Sequence, residues 1–307
     1  MTRLGLGAAP LGGLFEEVSE EEAHAVVEAA YERGLRLFDT APLYGSGLSE
    51  QRLGAVLRTK PRDEFVLSTK VGRLLRANGP AEPTMFEGTP PLRPVFDFSY
   101  DGVLRSLDES LARLGLDRVD IALIHDPDDH YEQALEGAYP ALERLRGEGV
   151  VGAIGVGMNQ TELLVRFARD GDFDCFLLAG RYTLLDTSGL DELLPLAAER
   201  GISIVAGGVF NSGVLASGET YDYAPAPTEV LERAARLREV CTRWGVPLEA
   251  AAIQFPLGHP AVTCVVVGCR SAAEVEEDVR LFQLDIPAGL WQELKAAGLL
   301  MAEVRVP

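Results

Sequence analysis

Eight short, continuously apolar runs separated by stretches of helical period constrain most strongly what this chain of 307 residues can fold into. They lie at Leu4–Gly7, Leu35–Asp39, Phe65–Lys70, Val119–His125, Val151–Gly157, Cys175–Leu178, Ile202–Ala206 and Thr263–Val267. Runs without polar alternation suit strands buried on both faces of a parallel sheet, because a half-exposed strand alternates. Amphipathic patterns fill the gaps at Ser19–Arg33, Ser49–Arg58, Tyr100–Leu114, Tyr131–Arg146, Thr161–Ala168, Leu190–Glu199 and Ser271–Leu281. Ser19 and Glu22 read as a capping box, while Gly34, Gly115, Gly149 and Gly201 follow helical patterns as C-terminal caps do. Strand and helix in alternation, eight times over, predict a closed (β/α)8 barrel, an α/β fold, as one domain over residues 1–307.

A doubly wound open sheet is the competing architecture. It is disfavoured because no Gly-x-Gly-x-x-Gly follows the first run; Gly5, Gly7, Gly12 and Gly13 have other spacings and lead through Pro10 into a loop. Two segments exceed what a barrel needs, Arg73–Phe98 and Asn211–Thr228, and both read as long loops over the strand-end face. Extra helices are expected near Glu229–Trp244, Pro247–Phe255 and Ala288–Leu300.

The formal charge of −19 offers no basic stripe for phosphate backbones, which argues against nucleic acid and anionic membranes as partners. Acidic stretches such as Ser19–Glu22 and Glu274–Asp278 read as solvated helix faces. Cys175, Cys241, Cys264 and Cys269 form no Cys-x-x-Cys pair, so no metal site is expected. With no signal-peptide core at Met1 and no apolar stretch of spanning length, a cytoplasmic location is expected.

Three of the apolar runs end on ionisable groups, Asp39, Lys70 and His125, and Tyr44 follows Asp39 by five residues. In a parallel barrel these strand ends share the catalytic rim. Singly each has an ordinary explanation: a turn cap, a solvated amine, a structural imidazole, a packed ring. Together they suit proton transfer at a carbinol oxygen. An ammonium beside a phenol favours phenolate and lowers its pKa from about 10, a carboxylate keeps the ammonium charged, and an imidazole holds the substrate oxygen.

The chain resembles the aldo-keto reductases. The matching stretches are Gly34-Leu-Arg-Leu-Phe-Asp39-Thr-Ala-Pro-Leu-Tyr44-Gly, Leu67-Ser-Thr-Lys70, Ser106-Leu-Asp-Glu-Ser-Leu-Ala-Arg-Leu-Gly115, Ile124-His125-Asp-Pro-Asp128 and Gly152-Ala-Ile-Gly155-Val. The resemblance implies a barrel oxidoreductase with Asp39, Tyr44, Lys70 and His125 as catalytic tetrad, Tyr44 as proton donor or acceptor, and NAD or NADP as cofactor. It further implies that Asn159 binds the nicotinamide carboxamide and that Ser212 and Gly213 join the pyrophosphate loop. Arg270 and Ser271 would meet the ribose 2′ side, and Glu277 and Asp278 the adenine. Glu274 stands where many members carry arginine, which tilts the expectation to NAD; Arg270, still able to pair with a phosphate, keeps NADP open. Ala179 replaces the usual glutamine and Gly207 lies near the usual stacking tyrosine, so Phe210 is expected to cover the ring. Only Met1-Thr2-Arg3 precede the first run, so the family's bottom hairpin is expected to be absent.

Within the family the stretches Ala8–Phe15, Phe96–Ser106, His125–His130 and Ala179–Leu185 resemble aldose 1-dehydrogenases of the D-threo-aldose (L-fucose) type and pyridoxal 4-dehydrogenases. That implies a small carbonyl or hemiacetal substrate, its C1 hemiacetal oxidised to a lactone; a general aldehyde or ketone reductase is the nearby alternative. A nicotinamide-sensing regulatory subunit and a Schiff-base aldolase on Lys70 are alternatives of other classes.

Overall fold

In the computed structural model, which describes residues 2–78, 84–216 and 218–307, the eight expected strands close on themselves in chain order. They are β1 (Leu4–Gly7), β2 (Leu37–Asp39), β3 (Val66–Val71), β4 (Ile121–His125), β5 (Ala153–Met158), β6 (Cys175–Ala179), β7 (Ser203–Gly207) and β8 (Val262–Val267). Every neighbouring pair is parallel, and β8 closes on β1 through Leu4↔Val265 and Leu6↔Val267. Several apolar runs begin before their strands. Leu35, Phe65, Val119 and Ile202 are buried but lie outside the ladder, because they fill core at the barrel's foot before pairing begins.

Side chains alternate across the strands. Leu37, Ile121, Leu123, Cys175, Leu177, Val205, Cys264 and Val266 point inward and form one apolar cluster, while Phe38, Ala122, Ile124, Phe176 and Ile204 pack outward beneath the helices. The lumen leaves a void of only about 10 Å³, room for one water at most. The barrel interior is a core rather than a channel.

Local signals account for the helix ends. Ser19 and Glu22 make the reciprocal capping box of helix Glu20–Glu32, and Gly115 and Gly201 sit left-handed at the C-caps of Tyr100–Leu114 and Leu193–Arg200. The helix over 131–147 carries a π turn at Ala134–Ala138, just before Pro140, whose ring cannot donate the next ladder bond. No described helix is long and apolar enough to cross a membrane.

Both expected long loops hold more order than their Pro and Gly content suggested. Arg73–Arg76 pairs antiparallel with Arg93–Phe96, and Thr220–Tyr221 with Ala224–Pro225. Residues 79–83 of the first segment lie outside the described residues. In the second hairpin Asp222 and Tyr223 both have positive φ, 46° and 64°, the backbone of a tight hairpin turn usually given to Asn or Gly. Both hairpins stand on the strand-end face.

Candidate active site

Strand register brings three of the predicted groups to one height. Asp39 is the last residue of β2 and pairs with Ser68 of β3; Lys70 pairs with Leu123 two residues before His125, which ends β4. The Lys70 Nζ donates to Asp39 Oδ2 at 2.6 Å and to the Thr40 carbonyl at 2.9 Å, while the Ser68 hydroxyl donates to Asp39 Oδ1 at 2.9 Å. Lys70 and Asp39 are 1% and 3% exposed, so neither charge has water to turn to. Burial alone would drive Lys70 neutral, yet Asp39 and Tyr44 outweigh it and hold the amine well above its ordinary range.

Tyr44 comes in from the β2 loop, half-buried, with the Lys70 ammonium 4.6 Å from its ring centre and the His125 ring edge-on at 5.7 Å. Its loop is fixed by backbone contact. A Cβ on Gly12 would meet the Tyr44 carbonyl carbon at 2.6 Å, and one on Gly45 would meet the Gly12 oxygen at 2.3 Å. Burial pushes Tyr44 up to about 12 against the pull of Lys70. The expectation of a lowered phenol is therefore corrected: desolvation penalises phenolate, and Asp39 offsets much of the ammonium's field.

His125 is 5% exposed and held far below its usual range by burial, then by Arg73 and Lys70, so it is a neutral imidazole at pH 7. Its Nδ1 is buried with no partner among the described residues, and its Nε2 lies 3.4 Å from Asp126. On the outer, helix-covered side of β3 Glu50, fully buried, accepts from Arg113 Nε at 2.6 Å and the Thr69 hydroxyl at 2.7 Å. Above them opens a cleft of about 360 Å³, lined by Tyr44, Lys70 and His125 and further by Arg73, Asp126 and Tyr223. Sequence reasoning passed over these last three. Asp126 had a signal in His125-Asp-Pro-Asp128; Arg73 and Tyr223 sit on hairpins read as loops and had none.

The predicted cofactor residues occupy the rim from β5 to β8. Asn159 lines the cleft just past β5. After β7 the chain bends through left-handed Gly208, Asn211, Ser212 and Gly213; Phe210 packs half-buried against the core, and the Ser212 hydroxyl accepts the Tyr223 amide at 3.0 Å. After β8, Ser271 caps helix Ala272–Phe282 by accepting from the Glu274 amide. Glu274 in turn accepts the Arg270 amide at 2.7 Å, and the Arg270 guanidinium reaches away to the Leu14 carbonyl at 3.3 Å. Glu277 is exposed and grips Arg280, whereas Asp278 takes the Cys269 thiol at 3.3 Å. Burial raises Asp278 to about 6.

A dinucleotide suits this rim. Gln160 Oε1, one residue past Asn159, and Asn211 Oδ1 are buried acceptors without partners among the described residues. Carboxamide and ribose bring the N–H and O–H donors that such acceptors need.

Comparisons with known proteins agree with this geometry. The profile of the Aldo/keto reductase family matches residues 3–298. The D-threo-aldose 1-dehydrogenase of a Pseudomonas species is 48% identical, the alignment covering 97% of this chain and 94% of that one. The pyridoxal 4-dehydrogenase of Microbacterium luteolum is 43% identical over 98% and 95% of the two chains. A solved aldo-keto reductase of Bacillus halodurans in its holo form superposes with a TM-score of 0.77 at 26% identity, over 98% of this chain and 93% of that one.

Proposed function

We propose, from the premise that the chain belongs to the aldo/keto reductase family and is a nicotinamide-dependent oxidoreductase, that it oxidises the C1 hemiacetal of an aldose of the L-fucose or D-threo-aldose type to a lactone. NAD is the preferred cofactor in this reading. The observation that carries it is the convergence of Lys70, Tyr44 and His125 on the cleft, in a chain 48% identical to a D-threo-aldose 1-dehydrogenase.

Nicotinamide, when bound, supplies the two-electron hydride acceptor or donor. Asn159, Phe210, Ser212, Gly213, Arg270, Ser271, Glu277 and Asp278 are the residues proposed to hold the dinucleotide. Tyr44 handles the proton, taking it from the hemiacetal hydroxyl in oxidation and returning it in reduction. Lys70, kept cationic by Asp39, favours the phenolate that oxidation needs. His125, neutral, orients the substrate oxygen through one ring nitrogen. Glu274 gives the cofactor preference: its carboxylate at the start of helix Ala272–Phe282 would repel a 2′-phosphate, and Arg270 is drawn off to Leu14.

Protein mixed with NAD and L-fucose should accumulate reduced nicotinamide, faster than with NADP. No turnover of any aldose with either cofactor would sink the reading. A pyridoxal 4-dehydrogenase is the second reading, favoured by the 43% identity to the Microbacterium enzyme; pyridoxal outrunning every aldose would establish it. The raised Tyr44 also fixes a pH trend. Below about 12 the phenolate fraction grows about tenfold per pH unit, so kcat/KM for oxidation rises from pH 7 to 10 while reduction, which uses the phenol, stays level.

A further inference from the structure

We infer that Asp126 is a specificity-determining residue whose carboxylate accepts a hydrogen bond from a hydroxyl beside the reacting carbon, so that polyhydroxylated rings are chosen over bare ones. The inference deepens the aldose reading and rests on it. It starts from backbone strain. Asp126 has φ 41°, a left-handed conformation that side chains other than Asn, Asp and Gly seldom take, and it precedes Pro127, which restricts it further. Such a backbone survives where surrounding contacts over-determine it. Here they do: the Asp126 amide donates to the Gly157 carbonyl at 3.1 Å, carrying the chain from β4 onto the end of β5.

The result is a carboxylate turned back over the catalytic groups. Its Oδ2 accepts from Arg73 at 3.0 Å and lies 3.4 Å from His125 Nε2. Arg73 is itself fixed, its guanidinium 4.5 Å above the Phe96 ring on the first hairpin. One oxygen is thus committed. The other, Oδ1, makes no hydrogen bond among the described residues, and the side chain lines the cleft beside Tyr44 and His125. Burial raises the Asp126 carboxyl while Arg73 pulls it down, as expected for a half-buried carboxylate with a single donor group beside it.

A substrate hydroxyl adjacent to the carbon held at Tyr44 and His125 supplies the missing donor. A site built to bond a substrate hydroxyl discriminates against the analogue that lacks it, because the protein group is then left unpaired.

The test compares two substrates of one reaction: L-fucose, and tetrahydropyran-2-ol, which is the same cyclic hemiacetal without the other hydroxyls. The quantity read is the ratio of their kcat/KM values, in the wild type, in Asp126→Asn, and in Asp126→Gly, which relieves the left-handed backbone. The ratio should favour the sugar in the wild type and fall at least tenfold in both variants. A ratio that stays within twofold in both, whatever the absolute rates do, overturns the inference and leaves the aldose reading standing. Turnover of tetrahydropyran-2-ol but of no aldose by the wild type would overturn both.

Discussion

At the β2–β4 rim the charges are dry and matched. The Asp39 carboxylate has the Lys70 ammonium and the Ser68 hydroxyl, and Glu50 behind β3 has Arg113 and Thr69. At the β7–β8 rim they are wetter and less closely matched. Arg270 and Glu277 spend their side chains on neighbours, half-buried Asp278 has only a thiol to donate to it among the described residues, and the chain itself is bent through four left-handed residues. The first region holds its groups in place for chemistry without help. The second keeps acceptors and a strained backbone waiting for something else to satisfy them, as a binding rim must.

The sharpest way to break this contrast is Tyr44→Phe. General acid–base groups contribute about 10²–10⁴ in rate, so kcat for L-fucose should fall by that factor while nicotinamide fluorescence titration shows unchanged cofactor binding. Equal loss of binding and rate would make the two rims one unit. Lys70→Met comes next. It leaves Asp39 buried and unpaired, which should cost about 3–5 kcal/mol in denaturant unfolding, besides the activity. Glu274→Arg probes the other rim: the NADP-over-NAD ratio of kcat/KM should rise about tenfold, roughly 1.4 kcal/mol, and a ratio that fails to move discards the repulsion assigned to Glu274.

The last effect is read in stability alone and concerns Asp278. Because its folded pKa is raised to about 6, the folded state binds a proton more tightly than the unfolded one, and that contribution is lost as pH climbs from about 4 through 6. Asp278→Asn should therefore be more stable than the wild type by about 3 kcal/mol at pH 7, with the difference shrinking toward pH 4. A difference independent of pH would mean that folding leaves the pKa of the Asp278 carboxyl unmoved.

The same contrast explains what could be read from sequence. Barrel strands announce themselves because both faces are buried, and Asp39, Lys70 and His125 stand out because each interrupts an apolar run at its end. The resemblance of these stretches to the aldo-keto reductases added Tyr44's role. Hidden from that reading was anything decided by three-dimensional neighbours. Tyr44's shift followed from desolvation and from how far Asp39 cancels Lys70, neither of which a spacing reveals. Arg73 and Tyr223 were lost because hairpins in a Pro- and Gly-rich stretch look like loops.

Gly12 bears on how such chains should be judged. It brings no chemical group of its own, yet its missing side chain is what lets the loop after β1 lie directly on the peptide that carries Tyr44. Replacement by alanine would leave all four tetrad residues in the sequence while prising the phenol off its seat. A chain can therefore keep every chemical part and still be silent; in screening relatives, a glycine at this position is as informative a mark of a working enzyme as the tyrosine it supports.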